Sequence, residues 1–305
     1  MSMTRSTSET LSLEIPSEEA EPGLVGDLVM LTKARLSMFV VITAFVGYCM
    51  AADRQFDWLR MMNAVLGTAL AAAAAAVLNQ VYEAKVDRLM ERTRTRPLPA
   101  GRMRRRTALA LGVGLTVLGV GYLQLTVNTV SAILAATTVF LYVLVYTPMK
   151  RKTSFCVTVG AVAGAIPPMI GWTSVHSRFD FGAWVLFGIL FTWQMPHFLA
   201  IAWMYRDEYA QAGFTMLKRN DPTGSATASQ SMLYTLGLSL ISLLPFTAGL
   251  TGISYLFGAL LLDAGLLAFA AQFLIQRERS SARQLFFASI LYLPLLLGLM
   301  VCAKA

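Results

Sequence analysis

Paired cysteines are missing from this chain. Cys49, Cys156 and Cys302 lie in separate apolar runs with no shared spacing, which argues against a disulfide framework or a thiolate metal site. Charge is scarce as well: 14% of the 305 residues are Asp, Glu, Lys or Arg, against 56% hydrophobic. A soluble domain carries about a quarter charged residues, so a soluble fold is set aside. Short alternating segments are also lacking, because the long Ala/Leu/Val runs do not alternate, and a membrane barrel needs alternation. What remains is an all-α polytopic membrane bundle, in which each spanning helix takes roughly 20 apolar residues. Residues 1–22 carry Glu9, Glu14, Glu18, Glu19 and Glu21. They lack the Arg-rich, acid-poor pattern of a transit peptide and the charged-then-apolar pattern of a secretory signal. We expect residues 1–25 to be a disordered acidic tail and residues 26–305 to form a single transmembrane domain.

Nine apolar runs are long enough to span, at about 31–51, 61–79, 107–124, 129–147, 154–173, 182–205, 231–250, 252–273 and 284–302. With the N-terminus inside, all of the 25 Lys/Arg residues except Arg54, Arg60, Arg178 and Lys304 fall on the inner side. The positive-inside rule then predicts a cytoplasmic N-terminus and an outside C-terminus. The net charge of +8 is thereby an orientation signal, not a nucleic-acid signal. The Ala69–Ala76 tract, with Gly160, Gly164 and Gly171, predicts close helix approach in lipid. Pro167–Pro168 predicts a kink in the fifth span and Pro196 a break in the sixth.

Three constellations carry chemistry. The first is Asn79-x3-Glu83-x3-Asp87 at the exit of the second span. Steps of four drift by only about 40° around a helix, so the three side chains share one face. Two carboxylates and an amide oxygen are hard ligands suited to Mg²⁺, whose shell is completed by water and substrate phosphate. The plainer reading is a surface helix end on which Lys85 and Arg88 pair locally with the acids. The cations Arg92, Arg94 and Arg96 follow at once and favour the metal–phosphate reading. The second constellation ends the sixth span, where Asp207 and Glu208 stand at the same membrane level and His197 lies about 15 Å deeper. An ionisable residue within a span is a functional candidate, although a neutral His bonded to a carbonyl freed by Pro196 is an ordinary alternative. The third is Lys150-Arg151-Lys152, with Lys33 and Arg35 near the first span. Both groups serve orientation and are also suited to phosphate or propionate groups. Asp263 sits mid-span with no evident role.

Four blocks, LTKARLSMFVVITAFVGY, NQVYEAKVDRLMERTRTRPLPAGR, YTPMKRKT and WQMPHFLAIAWMYRDEYAQAGFTML, resemble the UbiA superfamily of intramembrane prenyltransferases, and within it the branch that farnesylates heme. The resemblance covers the chain from about residue 28 onward and implies transfer of the farnesyl group of farnesyl diphosphate to a vinyl group of heme B, giving heme O. It implies that Mg²⁺ is the cofactor and heme B a substrate. Asn79, Glu83 and Asp87 would form the first metal–diphosphate motif, and Asp207 and Glu208 the second. The diphosphate would meet Arg92 and Arg96, together with Lys150 and Lys152; Lys33 and Arg35 are substrate-binding candidates from their charge and place alone. Tyr205 and nearby aromatic rings would line the path of the allylic cation. For His197 it leaves open iron ligation, porphyrin orientation and proton handling, with heme placement favoured. It further implies a bacterial inner-membrane location, an active site near the cytoplasmic face, and partners such as heme A synthase or cytochrome oxidase assembly proteins. Two departures stand out: Glu83 is where Asp is more common, and Thr215 is where Pro is usual. A quinone-type or other aromatic acceptor, and a non-catalytic heme-binding or transport protein, are the alternatives.

Overall fold

The computed structural model describes residues 23–52, 56–217 and 221–305; the acidic segment 1–22 lies outside the described residues. A short helix α1 (Leu24–Leu31) precedes α2 (Ala34–Ala51), α3 (Trp58–Asp87) and α4 (Arg105–Thr126). Next come α5 (Thr129–Phe140), a π-helical turn (Leu141–Tyr146) and α6 (Thr147–Met149), which run on as one rod. The remainder is α7 (Cys156–His176), α8 (Phe181–Met204), α9 (Arg206–Gln211), α10 (Ser225–Ile241), α11 (Leu244–Thr247), α12 (Ile253–Gln276) and α13 (Arg279–Cys302). No strand occurs among the described residues, only an isolated bridge between Thr251 and Lys304.

Eight of these helices are long and apolar enough to cross a membrane, and the chain is a multi-pass membrane protein. The run expected at 231–250 differs from the rest. It folds as the 17-residue α10 and the four-residue α11, with Pro245 in the first turn of α11. Proline has no N–H to continue a ladder and disfavours helix at the residue before it, so the rod is interrupted between Ile241 and Leu244. Three helices that start at the end away from Asp87 carry side-chain N-caps. Asp57, Asn128 and Asp180 accept from the backbone N–H groups of Arg60, Ser131 and Ala183, which is the usual way to satisfy an orphan first-turn donor.

Helix α7 is the most enclosed of the eight and packs on α2, α5 and α8. Small residues set that geometry. A Cβ on Gly171 would stand 1.8 Å from the Ala44 carbonyl oxygen, and one on Gly47 would stand 2.0 Å from that of Pro168. The backbones of α2 and α7 therefore touch, as close packing in lipid requires. The alanine tract of α3 is used similarly: a Cβ on Gly119 of α4 would meet the Ala71 nitrogen at 2.9 Å. Pro196 acts differently from the expectation. Contrary to the break expected at Pro196, α8 runs unbroken to Met204, and α7 continues through Pro167 and Pro168. Neighbours pack along both helices, the setting in which a spanning helix tolerates proline.

At one end of the bundle the segments 88–104, 150–155, 205–217 and 277–278 converge. The Thr215 N–H donates to the Lys150 carbonyl at 2.7 Å, and the Trp203 indole donates to the Arg277 carbonyl at 3.1 Å. At the other end the C-terminus is clasped, with the Ala305 N–H on the Leu250 carbonyl and the Lys304 ammonium on the carbonyls of Cys49 and Ala52.

Candidate active site

Helix α3 continues past the expected end of its span to Asp87, which keeps Asn79, Glu83 and Asp87 on one helical face. That face is turned inward: the three residues are 0%, 6% and 2% exposed. The acids do not pair with their helical neighbours. Lys85 is exposed, and Arg88 donates to the Pro99 carbonyl. A surface-helix reading is therefore set aside. Their partners come from three separate segments. Lys33 donates to Asn79 Oδ1 at 2.8 Å. Lys150 donates to Glu83 Oε1 at 2.9 Å, and Arg96 to Asp87 Oδ2 at 2.8 Å. Each carboxylate thus uses one oxygen, and the other accepts no hydrogen bond among the described residues.

Local structure explains why these cations arrive. Lys33 adopts a left-handed conformation, φ 48° and ψ 49°, at the junction of α1 and α2. Non-glycine residues seldom adopt it, and it marks the corner that turns the ammonium toward Asn79. The Gln80 amide fastens the same corner by donating to the carbonyls of Met30 and Leu31 at 2.9 and 2.7 Å. Arg96 is presented by the 88–104 loop. Thr93 anchors that loop to the Asp87 carbonyl, and Arg102 anchors it to the Asp27 carboxylate through a bidentate pair. Lys150 follows the π-helical turn, which shifts the register so that Tyr146, Thr147 and Lys150 all reach the site. Thr147 accepts from the Asn79 amide at 3.1 Å, and Lys150 lies 4.6 Å over the Tyr146 ring. Such turns recur at functional sites.

The two lysines differ electrostatically. Burial pulls the pKa of Lys33 below the ordinary lysine value, because its immediate partner is a neutral amide, and the nearby Lys150 and Arg96 add to this. Burial acts against the Lys150 ammonium too, but the oxygens of Tyr146 and Glu83 outweigh it and hold its pKa above the ordinary value.

The second constellation is only partly assembled. Glu208 is half-buried, and its Oε2 is buried with no hydrogen-bond partner among the described residues. Asp207 projects outward with 87% of its side chain exposed. Tyr205 connects the two constellations, lying beneath Arg92 at 5.8 Å and Arg279 at 6.0 Å. The Thr215–Lys150 hydrogen bond is a second link. A proline at 215 has no N–H to make it, which gives that departure a structural use. Arg35 and Lys152 are exposed, and no side-chain contact brings them to Asn79, Glu83 or Asp87. Among the described residues no three His, Cys, Asp or Glu side chains lie close enough to share a metal ion.

His197 sits deeper, between rings. It stacks on Trp193 at 5.0 Å and on Phe286 at 4.9 Å. Its Nδ1 is 2.8 Å from the Ser289 hydroxyl on α13, not bonded to a carbonyl freed by Pro196. Thr147 and Ser289 were not evident from sequence, since both are small hydroxyls in apolar runs. Tyr146 and Thr147 do sit inside the block that includes the Lys150 cluster. Asp263 has a structural setting: it accepts from Ser242 and Tyr292 at 2.7 Å each, while Tyr255 donates to the Ser242 carbonyl at 2.7 Å.

A helical membrane bundle with a buried amide–carboxylate face ringed by cations defines a class of intramembrane enzymes, and comparison identifies the class. The model described as the UbiA prenyltransferase family matches residues 40–291. This chain belongs to the UbiA prenyltransferase family. The protoheme IX farnesyltransferase of Solibacter usitatus (strain Ellin6076) is 42% identical over 284 residues, covering 90% of this chain and 97% of that one. The fold is shared with a digeranylgeranylglyceryl phosphate synthase at TM-score 0.77 and 16% identity, covering 92% of this chain and 98% of the other. It is shared also with a UbiA homolog from Archaeoglobus fulgidus bound to GPP and Mg²⁺, at TM-score 0.64 and 12% identity, covering 90% and 99%.

Proposed function

We propose that this protein transfers the farnesyl group of farnesyl diphosphate to a vinyl group of heme B, making heme O. The observation that carries the chemistry is the buried Asn79–Glu83–Asp87 face with a separate cation on each side chain. The choice of acceptor is supported by the protoheme IX farnesyltransferase of Solibacter usitatus, 42% identical over most of both chains.

Magnesium suits the donor set. Glu83 and Asp87 each have an oxygen outside their ion pairs, and Glu208 Oε2 is a buried acceptor with no partner among the described residues. A Mg²⁺ shell usually takes one or two carboxylates and fills with water and phosphate, so a three-carboxylate cluster is not needed. Asn79, Glu83 and Asp87 would hold one ion, with Glu208 and Asp207 serving the second motif. Bound there, Mg²⁺ supplies charge neutralisation of the diphosphate leaving group. The protein's own cations act in the same direction. Lys150 and Arg96 neutralise the acids before substrate binds, and together with Lys33 they then turn to phosphate oxygens, stabilising charge on the leaving oxygen. Arg92 extends this field from above Tyr205. The allylic cation forms next to aromatic rings, whose faces attract it, and in a site that limits water. The vinyl carbon attacks; water then adds to complete the hydroxyethyl group.

His197 places the heme. Ser289 gives its proton to the Phe286 carbonyl at 2.7 Å, so its oxygen accepts from Nδ1–H of His197. That leaves Nε2 with its lone pair, the form that ligates iron. This tautomer is assigned from the hydrogen-bond pattern. We further place the N-terminus and the active site at the cytoplasmic side of a bacterial inner membrane, supported by the basic residues of the loops around Asp87. Helix α10 with α11 would make a ninth crossing. Its start, at Gly224, packs on Trp203 at the site end, while Leu250 pairs with the C-terminus at the other.

Mass spectrometry of hemes from membranes with and without the protein tests the proposal. Heme O accompanies the protein if it is right; membranes containing active protein and only heme B would refute it.

A further inference from the structure

Away from the active site, α3, α4 and the α5 rod enclose a groove of about 920 Å³ that is apolar almost throughout. Leu78 and Tyr82 form one wall, Val113 the second and Phe140 the third, and Arg105 and Arg106 stand at one end. On α4 the lining runs from Arg105 to Val117, about 18 Å of helix at 1.5 Å per residue. That is about one leaflet of a hydrocarbon core roughly 30 Å thick. The wall residues Tyr82, Val113, Val117 and Phe140 are half exposed or more, so the groove opens sideways into lipid and does not seal around a reactant. Arg104, Arg105 and Arg106 are exposed, and none forms an ion pair with an acid among the described residues. The consecutive arginines start α4 at the same end as Asp87, where phospholipid headgroups lie.

We propose that this groove is a binding site for one anionic phospholipid, its acyl chains between α3, α4 and α5 and its phosphate on Arg105 and Arg106. Arginine matches phosphate through paired N–H donors, and juxtamembrane cations draw anionic lipid to the surface. The ligand is selected by charge at the rim; the apolar walls accept any acyl chain. The site is independent of the prenyl-transfer reading, because none of its residues belongs to the Asn79–Glu83–Asp87 face.

Full-length protein in mixed phosphatidylglycerol and phosphatidylcholine micelles, delipidated stepwise and weighed intact by native mass spectrometry, tests it. One phosphatidylglycerol is retained about tenfold over phosphatidylcholine. The R105Q/R106Q variant loses that preference, and Val113→Trp, which fills the groove, loses retention with both arginines present. Arg178→Gln changes neither. Prenyl transfer in phosphatidylcholine vesicles and the melting temperature are unchanged in these variants, which separates lost binding from unfolding. Equal retention of the two lipids by the unaltered protein overturns the proposal whatever the variants do. Stoichiometric displacement of the lipid by farnesyl diphosphate also overturns it, since the groove would then hold substrate.

Discussion

Glu83 and Lys150 are 67 positions apart in sequence and meet at 2.9 Å, and the proposed chemistry depends on such long-range pairs. Replacing Glu83 by Gln keeps the side-chain size but removes the charge that pairs with Lys150 and that the proposed Mg²⁺ site uses. Turnover should fall by on the order of 10²–10³, the usual cost of losing one electrostatic participant, while the protein still folds; heme O formation measured by chromatography checks it. Lys33 and Arg35 are two residues apart and should behave in opposite ways. Lys33→Met should cost at least about tenfold in kcat/KM, consistent with a hydrogen bond from a charged donor, and Arg35→Gln should stay within about twofold. Ser289→Ala releases the His197 ring. By analogy with lost second-shell partners it should weaken heme use by about 10–100-fold, raising KM for heme and leaving KM for farnesyl diphosphate unchanged. The acid face was legible in sequence because spacing of four is a local property. The residues that hold it in place were less legible. Lys33 and Lys150 read mainly as orientation charges until the fold brings them to the face; Thr147 is marked only by the block around Lys150, and Ser289 carries no signal in an apolar run.

At the scale of helices, contact between backbones sets the architecture. Gly171→Val places a branched side chain against the Ala44 carbonyl, and overpacking of this kind costs about 1–3 kcal/mol or more. Gly114 on α4 has nothing within 4 Å of its added Cβ, so Gly114→Ala should be neutral or stabilise by about 0.5–1 kcal/mol. Thermal unfolding of the two variants in one detergent compares them directly. The Asp263 network joins α12, α13 and the end of α10 through Ser242, Tyr292 and Tyr255. Seven of the nine expected apolar runs match an unbroken helix, overrunning it by no more than about three residues at either end, and an eighth continues through a π-helical turn, because long apolar runs in lipid have few alternatives to helix. The interruption before Pro245 was missed because hydropathy does not register one missing N–H. Pro196 misled in the opposite direction, since tolerance of a proline is decided by neighbouring helices that local sequence does not show.

For the whole molecule, the bundle separates two jobs. One end gathers the loops, cations and acids; the other is closed by N-caps and the C-terminal clasp. This polarity was legible in the distribution of lysine and arginine, since it is a property of composition by loop. The meeting of Tyr205 with Arg92, and of Thr215 with Lys150, was not, because it depends on which helices are neighbours. The most direct test of the account supplies purified protein with farnesyl diphosphate and Mg²⁺, together with heme B or 4-hydroxybenzoate, and identifies the products by mass. The account predicts heme O from heme B, no prenylated benzoate, and a loss of turnover on the order of 10²–10³ in Glu83→Gln. Prenylated benzoate without heme O, or full turnover by the folded Glu83→Gln variant, would contradict it.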